Sequence, residues 1–168
     1  HHFRHDADQE CSGGLESAIH LAAKRIIIEK KQITLSEYRL SVSEKDSKGK
    51  SHLESHAFIE GKTEFFFDEA QEEVSFSQMK VDILATKGDV QLIIEICYRH
   101  KVDEQKLLKI KDANISAIEI DLSDLKPQDV KDWEVFWSCI NDSRCVKWLH
   151  HRLKEKYELQ LARQVIES

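Results

Sequence analysis

Proline is almost missing from this chain of 168 residues; Pro127 stands alone. The segments before it therefore run without that breaker. Glycine is scarce too, and each one reads as punctuation: Gly13-Gly14 closes a polar, irregular stretch, and Gly49 and Gly88 mark turns. No apolar run is long enough to span a bilayer and no secretory signal is present, so the expectation is a cytoplasmic protein without a membrane partner. In that compartment Cys11, Cys97, Cys139 and Cys145 are expected to be reduced. None has the paired CxxC spacing of a strong zinc site. Positive charge is not in excess. The formal net charge is −6, which argues against a general nucleic-acid coating protein. Internal repeats and low-complexity segments are absent as well. What is present is 40% hydrophobic residues, enough for one domain with a real core.

Charge is unevenly spread. Residues 60–73 carry six acids and one base, whereas 144–156 carry five bases and one acid. Arg99 to Lys111 adds five bases against two acids. Phosphate contacts are expected from the two basic segments, through Lys109, Lys147, Arg152 and Lys154, with the acidic run Asp68–Glu73 facing away. The chain opens on His1-His2-Phe3-Arg4-His5 with no methionine, which fits a fragment of a longer protein or tag remnants.

From Leu15 to about Lys31 the pattern is helical, with Leu15, Ile19, Ala22, Ala23 and Ile26 on one arc. Residues 33–76 read as β structure with a turn at Ser47–Lys50. Met79–Ala85 and Val90–Tyr98 form the clearest hairpin, its second strand apolar on both faces and so expected at the centre of a sheet. Asp103 is placed to cap a helix, Glu104 to about Ala113, burying Leu107, Leu108 and Ile110. Ile115–Leu122 is a further strand. The rest is expected to be helical, with one long amphipathic helix from roughly Cys145 to Ile166. This order gives an α/β or α+β sandwich. It divides into a tail at 1–14, a core at 15–125 and a helical extension at 126–168.

Asp82 and Glu95 carry the chemistry. Each sits between apolar residues in adjacent strands, as Val81-Asp82-Ile83 and Ile94-Glu95-Ile96. A carboxylate there is costly to bury unless it is paired or binds a cation. Magnesium or manganese takes one or two such carboxylates and fits hydrolysis of a phosphodiester. The competing reading has each acid facing solvent at a sheet edge. Glu16, His20 and Lys24, four residues apart, form one polar stripe on the first helix. They either lean toward the two acids or form a solvated stripe.

Ile94-Glu95-Ile96, His100, Val102-Asp103, Lys106, Lys109-Ile110 and Ala117 to Leu122 occur in an order that resembles the competence protein CoiA-like nucleases. The front of the chain resembles them as well, in His2-Phe3-Arg4-His5, Cys11-Ser12, Glu16-Ser17, His20-Leu21 and Lys24. The resemblance covers most of residues 2–125. It implies a restriction-endonuclease-like PD-(D/E)XK core, a central mixed sheet flanked by helices, acting on DNA with Mg²⁺ or Mn²⁺. Asp82 and Glu95 match its two acidic motifs, and Glu16 matches an acid on its first core helix. All three would hold the metal, with His20, Lys24 or Lys106 completing the catalytic set. Cys97 departs from the pattern, because the family has lysine there. Lys106 is the first candidate to replace it and Lys24 the second. His100 is a further candidate for the site, and Asp103 reads more simply as a helix cap.

Zinc is a lesser expectation. His2, His5 and Cys11 form one candidate set, which would end a preceding zinc-ribbon-like segment. Cys139, Cys145, His150 and His151 form the other. Trp133, Phe136 and Trp137 have the spacing of a helix burying its core face. Two rival functions remain beside the nuclease. One is a catalytically weakened nucleic-acid-binding module of the same fold. The other is a protein-interaction domain built on the last helix, including a homo-oligomer or a piece of a larger protein.

Overall fold

The computed structural model describes the backbone of residues 3–167 and the side chains of residues 13–167. Helix α1 spans Phe3–Lys30. Ile19, Ala23, Ile26 and Ile27, at helical spacing, are fully or almost fully buried and form its inner face. The helix runs straight through Gly13-Gly14, where the sequence suggested a break. Both glycines are exposed and neither adopts a left-handed φ, so their cost is propensity alone, about 1 kcal/mol each against alanine. The helix ends at Lys31, which turns left-handed at φ 49° while its N–H still donates to Ile27 O at 2.9 Å.

Strands β1 (Gln32–Leu35) and β4 (Thr63–Phe66) pair with each other. Strands β2 (Tyr38–Lys45) and β3 (Ser51–Ile59) form a separate hairpin. Asp46 holds its turn, accepting from the N–H groups of Lys48 and Lys50, and Gly49 supplies the positive φ.

The main sheet contains β5 (Glu69–Phe76), β6 (Met79–Lys87), β7 (Val90–Cys97), β8 (Ser116–Asp121) and β9 (Val146–His150), in that spatial order. Only β7 and β8 are parallel. Helix α2 (Glu104–Ala113) makes the crossover between them. Its ends follow from local chemistry. Asp103 accepts from Lys106 N at 2.7 Å as the N-cap, and Asn114 closes the helix in the left-handed region. Ile110 is buried as expected, but Leu108 is 60% exposed and lies off the packed face.

Cores form on both faces of the sheet. Leu92, Ile94, Ile96, Ile118 and Ile120 pack with α1 and with Phe136 and Ile140 of α3 (Trp133–Ile140). Ile93, Ala117 and Leu84 pack with Ile110 of α2 on the other side. The result is a mixed α/β fold with a central mixed sheet flanked by helices.

The segment read as one helix from Cys145 is different. Ser143–Cys145 is a short 3-10 turn, Val146–His150 is strand β9, and only Lys154–Glu167 is helical, as α4. The sequence Val-Lys-Trp-Leu-His has β-branched and aromatic residues suited to a pleat, and pairing with β8 covers an edge that would otherwise stay open. Residues 126–168 therefore supply a strand of the main sheet.

Candidate active site

Charged residues line up across the sheet. Glu119 of β8 is in register with Glu95 of β7, and Lys147 of β9 with Glu119. Asp82 lies one step beyond the Ile83–Ile94 pair, opposite Glu95. Glu73 of β5, at φ 55°, lies opposite Asp82, where the β5–β6 ladder is interrupted. At Asp82 strand β6 also changes partners. Ile83 and Ala85 pack into the core beneath α1, whereas Met79 and Val81 belong to the core beneath α2. A carboxylate at that crossover reaches groups on both layers.

Asp82 Oδ2 accepts the N–H of Ile96 at 2.8 Å and stands 4.0 Å from His20 Nδ1. Asp82 stands close enough to Glu95 for its charge to act on that carboxyl. Glu95 is 4% exposed. Burial, reinforced by the neighbouring Asp82 charge, pushes its carboxyl up to about 7, with Lys106 working in the opposite direction. Lys106 Nζ is 2.7 Å from Glu95 Oε1. That contact is an ion pair by distance but is poorly angled for a hydrogen bond, and Oε1 has no directed donor. Lys106 thus reaches Glu95 from α2. Cys97 is buried, and burial together with the Glu119 charge pushes its thiol up to about 11, so it is an inert packed group.

The α1 stripe divides. His20 stands between carboxylates, with Nε2 3.9 Å from Glu16 Oε1, yet that buried nitrogen has no hydrogen-bond partner. Glu16 instead meets His100 Nδ1 at 3.0 Å, and this hydrogen bond holds its carboxyl below the ordinary range. Lys24 is not free to serve Glu95. It is buried and bonded to Glu73. With Lys80 bound to the same carboxylate at 2.8 Å, the two lysines bring Glu73 down to about 2. The acidic run accordingly does not stand apart as a block, because Glu73, though exposed, pairs with the buried Lys24 of α1.

Among the described residues no three His, Cys, Asp or Glu side chains gather into a metal cage. The donors that converge are Asp82 and Glu95. Two adjacent carboxylates, one buried and with an oxygen that lacks a well-angled hydrogen-bond donor, fit a hard divalent cation that keeps most of its waters. They do not fit zinc, which takes four protein ligands in structural sites. Of the expected zinc sets, the side chains of His2, His5 and Cys11 lie outside the described residues. In the other set, His150 is buried with Nε2 2.8 Å from Asn114 Oδ1, and His151 stacks on Phe58.

The basic residues separate as well. Lys147 belongs to the charged row, and Lys109 donates to Gln78 O at 3.1 Å on the α2 side. Arg152 and Lys154 follow the end of β9 at the opposite end of the sheet.

Two members of the row have no site role in the sequence expectations. Glu119 is 3% exposed, and its Oε2 accepts from Val102 N at 2.8 Å, fixing the segment that leads into α2 and Lys106. Its signal was legible, since Ile118-Glu119-Ile120 repeats the apolar sandwich around Glu95. Glu73 had no such signal within an acidic run. Compared with family profiles, characterised proteins and solved structures, the chain matches none.

Proposed function

We propose that the chain is a metal-dependent nuclease that hydrolyses DNA phosphodiesters with the PD-(D/E)XK-type core that its sequence resembles. The observation that carries this reading is the Asp82–Glu95 carboxyl pair at the β6–β7 junction, with Lys106 at 2.7 Å. Asp82 and Glu95 would hold Mg²⁺ or Mn²⁺. The bound ion would supply charge neutralisation and a water of lowered pKa. Lys106 supplies the ammonium that orients the attacking water and stabilises charge on the phosphate oxygens. Water attacks phosphorus, one bridging P–O bond breaks, and the departing oxygen takes a proton. His20, partly exposed between Asp82 and Glu16, is placed to pass that proton. Glu16 and His100 belong to the rim, where they set the position of the first helix against the loop after β7.

Incubating the chain with linear, circular and single-stranded DNA in Mg²⁺, Mn²⁺ or EDTA tests the proposal. Cleavage that requires the metal supports it, and no cleavage of any substrate sinks it. Lys106→Ala is expected to reduce the rate by about a hundredfold, the cost of one preorganised stabiliser, while Cys97→Ser is mild. Single-turnover rates with folding checked by circular dichroism decide between them. If Lys106→Ala is as active as the parent, another group takes the lysine role.

The charge row also directs the expected path of duplex DNA. Lys147→Ala should weaken binding regardless of sequence and lower the salt slope by about 0.9, the value for one lost phosphate contact. Lys154→Ala, beyond the far end of β9, should leave the slope unchanged. Anisotropy titrations in EDTA across several salt concentrations measure both.

The binding-module reading rests on Cys97 in place of lysine, and it predicts DNA binding with no cleavage. The protein-interaction reading rests on α4, which leaves Leu159 and Ile166 exposed, and it predicts association without nucleic acid.

A further inference from the structure

A cavity of about 340 Å³ opens at the other end of the main sheet. Leu92 and Ser116 on its wall are a cross-strand pair, three residues before Glu95 and Glu119 and so roughly 10 Å away at the usual strand rise. Leu92 packs on the α1 face, whereas Glu95, three positions along an alternating strand, points to the other. The cavity is therefore separate from the carboxylate pair in both height and face.

Flat rings line one side of it, among aliphatic residues such as Leu35 and Leu92. Phe58 and His151 stack with centroids 4.2 Å apart and planes 19° from parallel. His56 and Tyr157 stack at 4.1 Å and 16°, and Tyr157 meets Phe58 edge-on at 5.1 Å. Trp148 completes the set, its indole N–H already donated to Ser36 O at 3.0 Å. All of these rings line the cavity or border it and are half-buried, and Tyr38 packs behind Phe58, Trp148 and His151. Burial, helped by Arg152, brings His151 down to about 4, and at neutral pH it presents an uncharged ring. Arg152 lies at the rim, exposed, and no acid pairs with it among the described residues. The nearby Glu158 is instead 3.9 Å from Lys154.

We propose that this cavity is a nucleotide site, in which the aromatic wall stacks a base and Arg152 takes its phosphate. Partly exposed parallel rings favour a planar heteroaromatic over an aliphatic ligand, and an unpaired guanidinium beside them favours an anion on the same molecule. Cavities of this size are sufficient for a small ligand. A free mononucleotide and an unpaired base of a single strand present the same chemistry here. The site stands apart from the nuclease reading and does not depend on it.

Calorimetric titration of the whole chain in EDTA with adenosine 5′-monophosphate, adenosine, ribose 5-phosphate and a short oligodeoxyadenylate tests the site. The base-bearing phosphates are expected to bind at least about tenfold more tightly than ribose 5-phosphate. Arg152→Ala should weaken the monophosphate and leave adenosine unchanged. Phe58→Leu, which keeps apolar bulk but removes the ring, should weaken both. Binding of the oligomer alone supports the site with single-stranded nucleic acid as its source, and binding of both supports free nucleotide as well. Asp82→Ala should bind as the parent does whether or not it cleaves DNA, and loss of binding in that folded variant overturns a separate site. Equal binding of ribose 5-phosphate, insensitivity to both cavity variants, or no binding of either base-bearing phosphate also overturns it.

Discussion

Asp82→Ala and Glu95→Ala are each expected to lower DNA cleavage by about a hundred- to a thousandfold or more, with the fold retained. Each substitution removes one of the two carboxylates at the β6–β7 junction, and a preorganised charged group of that kind is worth at least two orders of magnitude in rate. The two variants should differ in their side effects. Asp82→Ala also removes the acceptor of the Ile96 N–H and loosens the end of the strand pairing, whereas Glu95→Ala leaves the half-buried Lys106 without its carboxylate. Plasmid nicking in Mg²⁺, with circular dichroism on the same samples, reads both. Full activity in either folded variant removes that residue from the machinery.

The second large effect is on stability. Glu95 has an ordinary carboxyl value of 4.5 in an unfolded chain and about 7 in the fold. Between those values the folded state binds more protons than the unfolded state, so this group makes stability fall as pH rises from about 4.5 to 7 and level off above. The difference of 2.5 units amounts to about 3 kcal/mol by the conversion of 1.36 kcal/mol per unit. Glu95→Gln should therefore be more stable than the parent at pH 8 by an amount of that order, and by little at pH 4.5. Urea denaturation at the two pH values in EDTA decides it. A parent and variant that differ equally at both would mean that folding leaves the Glu95 carboxyl unshifted. Added Mg²⁺ should narrow the gap at pH 8 by stabilising the parent alone.

The hairpin that carries Asp82 and Glu95 was legible because its signals are local: a second strand apolar on both faces, a Gly88 turn, and an acid between apolar neighbours. Helix α2 was legible for the same reason, through the cap at Asp103 and the spacing of Leu107 and Ile110. Strand β9 was not, since its five residues are held by pairing with β8 and have a helix on the far side that extends the apparent pattern. Of the site, the sequence pointed to Asp82, Glu95 and Lys106, which the fold brings together. Glu16 and His20 are neighbours of that group, and His100 holds Glu16. The pairing of Lys24 with Glu73 was not legible, because it joins residues 49 positions apart through a distorted edge strand.

The bond from Ile96 N–H to Asp82 Oδ2 has a spectroscopic consequence. Elsewhere along β7 an amide finds its acceptor in a neighbouring backbone, and its protection from exchange reports the opening of the sheet. At Ile96 the acceptor is a side chain that can ionise, turn or take a cation without any strand moving. The amide proton of Ile96 is thus a built-in witness to the state of the carboxylate pair. Its chemical shift and exchange rate would follow the occupancy of that pair while its neighbours at Ile93 and Ile94 stayed silent.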